Sequence, residues 1–235
     1  MPKARKDRFL LGPFFDVDPA RSEIIPVGFE EAEEPLSLCM GRYKVRSNEP
    51  ALHGSDVHIT NKDVTAFIQA DWDRVFGTDK PNRGFLLAYR AGAFAAGRVA
   101  EELVLRKLLT KARFRGGAVV EYLLFSEAQE RSLVLPRKGS QSDDLVLCLE
   151  NGDRLIVESK AAFAGKSYLS RSVPKAVSQL SATLERNSGL SSAALCLIDL
   201  TRHSIAIATM NREEAMSSRQ ALIERIRDLT LLKQL

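Results

Sequence analysis

Two apolar segments separated by an Asn-Gly pair constrain the fold of this chain more than any other feature. Residues 144–149 read DLVLCL, residues 154–160 read RLIVESK, and Asn151-Gly152 lies between them. Short apolar runs on either side of Asn-Gly are typical of a β-hairpin. Because the first run is apolar almost throughout, as is a later run at 193–200 (AALCLIDL), we expect strands covered on both faces of a sheet.

Charged residues at the open end of this hairpin are the candidate functional residues. Asp144 opens the first run, and Glu158-Ser159-Lys160 closes the second. Side chains alternate across a strand, so we expect Glu158 and Lys160 on one face and Ser159 on the other. Charged groups at the end of a buried strand are costly to desolvate unless they are paired or bind a metal ion.

The length of the hairpin loop decides which aspartate faces Lys160. A two-residue Asn-Gly turn would place Asp143 opposite Lys160, on the face of Glu158, whereas a three-residue loop or a bulge would move Asp144 to that face. The residues alone leave both geometries open.

The other elements predict an α/β fold with a mixed central β-sheet flanked by helices. Their order is helix, three strands, helix, two strands, helix. The expected segments are a helix within 85–111, a strand at 118–125, a loop containing Pro136, the two hairpin strands, a helix at about 173–187 with Pro174 in its first turn, strands at 193–200 and 204–209, and a helix from about 212 to 233. Residues 1–80 are rich in proline and are assigned to an N-terminal extension or small subdomain of unknown role, and residues 81–235 to the main domain.

The hairpin motif and this order of elements resemble the PD-(D/E)XK phosphodiesterase superfamily, which includes restriction enzymes, over roughly residues 85–210. The matching residues are Ser142-Asp143-Asp144-Leu145-Val146-Leu147, the Asn151-Gly152 turn and Val157-Glu158-Ser159-Lys160-Ala161. One departure is that Asp143 stands where the family usually has a proline. The resemblance implies a restriction endonuclease-like core and a nuclease.

The resemblance also implies a metal site. Asp144, Glu158 and the main-chain carbonyl of Ser159 would bind a divalent ion, and Lys160 would orient or activate the attacking water. The family pattern favours Asp144 over Asp143, because the aspartate directly precedes the apolar run. Oxygen ligands of this kind suit Mg²⁺ or Mn²⁺.

Two further residues are candidates by helical spacing together with the resemblance. Many family members carry a glutamate on the first core helix, and spacing places Glu101 on the inward arc and Glu102 on the outward side. In the second helix, Gln179 shares a face with Lys175 and Arg186 and fits the position of a glutamine found near the site in several relatives.

Basic residues after the motif suggest contact with a polyanion. The net charge is +4 and the pI about 9.0, with 34 basic residues against 30 acidic ones. This balance permits a nucleic-acid partner without requiring one. Lys166, Arg171 and Lys175 follow Lys160 closely and are expected to contact phosphate groups along a DNA backbone.

The expected function is therefore a metal-dependent deoxyribonuclease, with restriction, phage defence or repair as its setting. Alternatives are a non-catalytic relative that binds nucleic acid or a protein, and a toxin or effector nuclease. A homodimer is plausible because one phosphodiesterase centre cuts one strand, and residues 1–80 could recruit a protein partner. The three cysteines have no CxxC spacing. With no apolar run of about 20 residues and no signal peptide, we expect no membrane contact and a cytoplasmic location.

Overall fold

The fold is known from a computed structural model. It describes residues 9–10, 15–18, 23–26, 38–64, 66–67, 70, 97, 99–135, 145–162 and 165–229, and for 9–26 and 162–171 it describes the backbone alone. The chain forms two compact units, one of Met1–Arg42 with His58–Val104 and one of Tyr43–Val57 with Leu105–Leu235. The first contains a small antiparallel sheet of β1 (Phe9–Leu10), β2 (Phe15–Asp18) and β3 (Glu23–Pro26).

A mixed sheet dominates the second unit, so the protein has an α/β fold. Among the described residues this sheet has eight strands in the order β5-β4-β11-β10-β9-β8-β7-β6. The strands are β4 (Gly41–Ser47), β5 (Asp56–Ile59), β6 (Arg113–Phe114), β7 (Gly117–Leu124), β8 (Leu145–Leu149), β9 (Arg154–Ala162), β10 (Ser192–Asp199) and β11 (Ser204–Asn211). β7, β8 and β9 pair antiparallel, β9 and β10 parallel, β10 and β11 antiparallel, and β11 and β4 parallel.

The α-helices that are described from end to end lie beside this sheet. They are α1 (Leu105–Leu109), α2 (Phe125–Glu130), α3 (Gly165–Arg186), α4 (Arg212–Ser217) and α5 (Arg219–Leu229). A π-helical segment, Val99–Val104, leads into α1. Within these ranges no helix combines the length and the apolar composition needed to cross a membrane.

The β8–β9 hairpin has a three-residue loop, which is one of the two geometries that the sequence left open. Leu149 and Asp153 close the loop, with the Leu149 N–H donating to the Asp153 carbonyl at 2.9 Å and the Gly152 N–H donating to the Leu149 carbonyl at 2.9 Å. Gly152 has φ +86°, a left-handed conformation that glycine adopts without steric cost. A turn followed by a left-handed glycine is the usual three-residue hairpin loop.

α3 covers one face of the sheet and forms an apolar cluster with it. The parallel β9–β10 crossover is made by this helix, as parallel pairing requires. Sheet residues in the cluster include Val146, Ile156, Leu195 and Leu197, and helix residues include Val177, Leu180, Leu184, Leu222 and Ile226. The near-continuous burial of β8 and β10 agrees with the expectation of strands covered on both sides.

The predicted strands are confirmed, but three helical predictions need correction. A loop was expected after β7, and the structure has α2 there, where Glu127 Oε2 accepts the Leu124 N–H at 2.7 Å at the helix start. α3 begins at Gly165 rather than near 173, so Pro174 lies inside the helix instead of in its first turn. Proline removes one backbone hydrogen bond there, and burial of Val173 and Val177 offsets this cost.

The last expected helix is two helices. Ser218 has an extended backbone with φ −148° and ψ 96°, which ends α4. Its hydroxyl then accepts the Ala221 N–H at 3.2 Å and caps the start of α5. A serine that satisfies backbone donors locally competes with helix continuation, and this explains the break.

The three cysteines are free thiols, and burial raises the pKa of each. The pKa of Cys39 is raised to about 12, that of Cys196 is raised further, and that of Cys148 is raised by burial and by the nearby Glu121. A raised pKa lowers the thiolate fraction at pH 8. We therefore expect iodoacetamide to label Cys39 and Cys196 at least about a hundredfold more slowly in the native protein than in urea. Mass spectrometry of timed samples measures this, and equal rates in both conditions would contradict the burial.

Candidate functional site

Glu158 and Lys160 lie on the face of β9 that α3 covers. In the parallel pairing, Leu195 is in register with Glu158 and Leu197 with Lys160, and residues in register share a face. Leu195 and Leu197 belong to the apolar cluster that α3 completes. Ser159 faces the other way, is 3% exposed and is in register with Cys196. The alternation expected from the sequence is therefore present.

A buried ion pair joins the two charged residues. Glu158 has 0% exposure, Lys160 keeps 24% of its side chain exposed, and Nζ lies 2.5 Å from Oε1 of Glu158. Moving a carboxylate out of water costs several kcal/mol unless a cation faces it. Lys160 supplies that cation from a side chain that is only partly buried.

The two candidate aspartates, Asp143 and Asp144, lie outside the described residues. The last described pair of the hairpin is Leu145 with Val157, so β8 is followed in register up to the residue before Glu158. The three-residue loop is the geometry under which the sequence analysis put Asp144, rather than Asp143, on the face of Lys160.

Gln179 lies on α3 with a buried amide oxygen. Among the described residues its Oε1 has no hydrogen-bond partner. A buried acceptor without a partner costs about 1–3 kcal/mol. A bound ligand or ion that donates to this oxygen or is coordinated by it would remove that cost. Lys175 and Arg186, which the sequence placed on the same face, are exposed.

The basic residues after the motif are located only in part. Lys166 and Arg171 are residues of α3, and only their backbone is described. The exposed Lys175 is available for contact with a polyanion.

The inward glutamate of the first core helix is Glu102 rather than Glu101. Glu102 is 3% exposed, while Glu101 is only partly buried, so the predicted facing of these two residues is wrong. The cause is local, because both residues lie in the π-helical segment Val99–Val104. A π-helix has i to i+5 hydrogen bonds and more residues per turn than the 3.6 assumed in the prediction. The catalytic role assigned to Glu101 stays a prediction.

The predicted ligands have the chemistry that a hard divalent ion requires. Two carboxylates and a main-chain carbonyl are all oxygen donors, and the buried amide oxygen of Gln179 is another. Among the residues that the structure describes, no three His, Cys, Asp or Glu side chains converge on a point, and Asp144 is not among those residues. Glu158 is therefore the described carboxylate around which such a site would be built.

A cavity that the sequence analysis missed lies at the other end of β9. Its volume is about 390 Å³, and its lining includes Glu49, Leu155 and Thr209 but neither Glu158 nor Lys160. Leu155 precedes Lys160 by five residues, or about 16 Å along a strand, and its side chain is on the opposite face. No short motif marks this cavity, because its walls come from distant segments that only the fold brings together.

The chain was compared with models of known protein families and with curated protein sequences, and neither comparison finds a match.

Proposed function

We propose that the protein is a metal-dependent phosphodiesterase that hydrolyses DNA at a site formed by Asp144, Glu158 and Lys160. The observation that carries this proposal is the ion pair on β9, in which a carboxylate with no exposure contacts a lysine whose side chain is still partly exposed to solvent. A purely structural strand would gain more from an apolar pair at this position, because burying two charges rarely stabilises a fold.

The order and direction of the elements support the same proposal. α1, β7, β8, β9, α3 and β10 occur in this order, with the short strand β6 before β7 and the helix α2 inserted between β7 and β8. β7, β8 and β9 pair antiparallel, and β9 and β10 pair parallel. The PD-(D/E)XK resemblance implies a core of a helix, three strands, a helix and a strand, with the motif on the second and third strands. β8 and β9 occupy those positions here, so a restriction endonuclease-like core is the fold that we propose.

The hairpin register favours Asp144 as the second carboxylate. Leu145 pairs with Val157, so a pairing that runs on by one residue would set Asp144 opposite Glu158. Residues opposite each other on antiparallel strands share a face, with Cβ atoms about 4.5–5.5 Å apart. Two carboxylates at that separation can hold one cation between them.

The proposed chemistry assigns a role to each side chain. Glu158 and Asp144 would hold the metal ion, and Glu158 also keeps the Lys160 amine in place through the contact at 2.5 Å. Lys160 presents fixed positive charge where negative charge develops on the phosphate, and it can orient the attacking water. A bound Mg²⁺ or Mn²⁺ lowers the pKa of a bound water and polarises the phosphate. Lys175, with Lys166 and Arg171, would contact the DNA backbone.

Cleavage of DNA with and without metal tests the proposal. Plasmid, linear duplex and single-stranded DNA, with an RNA of the same sequence, are incubated with Mg²⁺ or Mn²⁺. We expect cleavage of DNA that stops with EDTA and is lost in Asp144→Asn and Glu158→Gln. Asp56→Asn is the matched control, since Asp56 is exposed and pairs with Lys44 at 3.6 Å on the surface. Full activity in folded Asp144→Asn and Glu158→Gln would exclude this site.

A non-catalytic role is the second candidate, and the short Glu158–Lys160 contact favours it because the pair neutralises itself. A protein that only binds DNA would keep its affinity for DNA in Glu158→Gln while no variant cleaves. An effector nuclease would instead be toxic when expressed in its host, and the same substitutions would remove the toxicity.

The substitution Gln179→Leu is expected to affect cleavage and stability in different ways. Gln179→Leu removes a buried acceptor that lacks a partner among the described residues, so we expect an unchanged or higher Tm. If the amide serves the metal or the substrate, cleavage should still fall by about tenfold or more. Thermal unfolding and the cleavage rate are measured on the same preparation. Unchanged cleavage would remove Gln179 from the site.

A further inference from the structure

The cavity beside Glu49 is built from parts of the sheet that the proposed nuclease site does not use. It lies where β9 and β10 begin and β11 ends, and it has a volume of about 390 Å³. Pockets that hold small ligands have volumes of about 300–1,000 Å³, so this one is at the small end of that range. Phe114, Leu149 and Leu155 give it an apolar wall.

Glu49 is held rigidly at this cavity. The residue is 6% exposed, and its Oε1 accepts the Thr209 hydroxyl at 2.5 Å. The neighbouring Asn48 bonds both backbone groups of Thr209, accepting its N–H at 2.8 Å and donating to its carbonyl at 2.9 Å. The Glu49 N–H donates to Ser47 Oγ at 3.0 Å. The carboxylate is thus fixed against β11 before any ligand arrives.

The charge of Glu49 is not balanced by the protein in the described ranges. There, no Lys, Arg or His nitrogen is in salt-bridge contact with it, and its side-chain hydrogen bond is the one that Oε1 accepts from Thr209. Arg225, which also lines the cavity, donates to the Thr209 carbonyl at 2.6 Å and pairs with Glu214 at 3.6 Å. The cavity lining holds three carboxylates and two guanidinium groups, counting Asp153 and Arg115 with these three residues.

A carboxylate that is nearly buried is costly to desolvate when no cation faces it. We propose that the cavity binds a small organic cation, with an amine or guanidinium group against Glu49 Oε2 and an aliphatic body against the apolar wall. Such a ligand supplies the missing positive charge and at the same time covers Phe114 and Leu155. The proposal does not depend on the nuclease activity, because Glu158 and Lys160 lie at the other end of β9.

A pair of ligands that differ in charge tests this binding. Amide chemical shifts are followed by NMR while n-butylguanidinium or n-butylurea, which has nearly the same shape but no charge, is added. We expect saturable shifts at the cavity residues with n-butylguanidinium and an affinity at least about tenfold weaker for n-butylurea. Equal affinities, or no saturable shifts at Glu49, Thr209 and Leu155, would overturn the proposal.

Variants locate the interaction. Glu49→Gln keeps an oxygen that can accept the Thr209 hydroxyl and should reduce n-butylguanidinium binding to the level of n-butylurea. Glu185→Gln on α3 changes the same charge at an exposed position and should bind like the wild type. Ser192→Leu fills the cavity without altering a charge and should abolish binding of both compounds. Wild-type affinity in either Glu49→Gln or Ser192→Leu would refute the assignment.

Discussion

Replacing Lys160 by Met is expected to lower the free energy of unfolding by about 3–5 kcal/mol. Glu158 has 0% exposure, and the substitution removes the amine that contacts its Oε1. A charge left buried without its partner costs far more than the pair itself contributes. Urea unfolding followed by circular dichroism measures the change, and the slope of the transition shows whether the native state stays compact.

A double-mutant cycle isolates the pair. Glu158→Gln removes the charge from the buried member and leaves a lysine whose side chain is 24% exposed, so its cost should be smaller than that of Lys160→Met. The double variant should recover much of the loss, giving a coupling energy of about 1–3 kcal/mol. Lys44→Met is the matched control, because Lys44 is 69% exposed and its pair with Asp56 is at the surface. If Lys160→Met were as mild as Lys44→Met, Glu158 would not depend on its partner.

The double-mutant cycle also shows whether a loss of cleavage comes from unfolding or from a defect in the site. Loss of cleavage in Lys160→Met could follow from unfolding alone, whereas the double variant and Glu158→Gln are expected to stay folded. A folded variant that has lost cleavage but keeps DNA binding places the defect in the chemical step. A folded variant that still cleaves places the chemistry elsewhere.

Replacing Leu180 by Ala is expected to cost about 3 kcal/mol, within the range of 2–5 kcal/mol for buried leucines. Leu180 is 1% exposed on the side of α3 that packs against the sheet, in the cluster that includes Ile156 and Leu195. The cost combines lost apolar burial with the cavity that remains. Because α3 covers the face of Glu158 and Lys160, its loosening should also expose β9 to hydrogen exchange.

Ser178→Ala provides the control for this prediction. Ser178 is exposed on the same helix, so its substitution should change stability by no more than about 0.5 kcal/mol. A loss below about 1 kcal/mol in Leu180→Ala would mean that α3 does not pack tightly on the sheet. Urea unfolding and hydrogen exchange of the β9 amides together distinguish a local from a global effect.

The strands could be predicted because their signals are local. Period-two alternation places Glu158 and Lys160 on one face, and the apolar runs of β8 and β10 predict burial on both faces. The Asn151-Gly152 pair indicates the hairpin but not its loop length, which depends on how the two strands pair along their whole length. The structure has the three-residue loop, and that loop favours Asp144 over Asp143.

The helical details could not be predicted because they depend on context. Pro174 is normally a helix-start residue, yet α3 begins at Gly165, because packing on the sheet outweighs the loss of one hydrogen bond. Glu102 is more deeply buried than Glu101, against expectation, because Val99–Val104 is π-helical. A helical wheel assumes 3.6 residues per turn and therefore does not predict a π-helical segment.

Residues 1–80 show the same limit at the level of the domain. Their strands look weak in the sequence, yet β4 and β5 join one edge of the main sheet through pairing of β4 with β11. Edge pairing of this kind depends on residues more than 100 positions away, so no local sequence pattern predicts it.

By itself, the sequence determined that this protein has a sheet of buried strands and that one strand ends with an acid and an amine on the same face. Both follow from side-chain alternation and hydrophobicity, which act between neighbours along the chain. Only the tertiary structure decided that Glu158 is fully buried against Lys160, that Gln179 has a buried oxygen without a partner in the described residues, and that Glu49 lines a cavity. Burial and partners depend on which distant segments pack together, and short-range patterns carry no information about that.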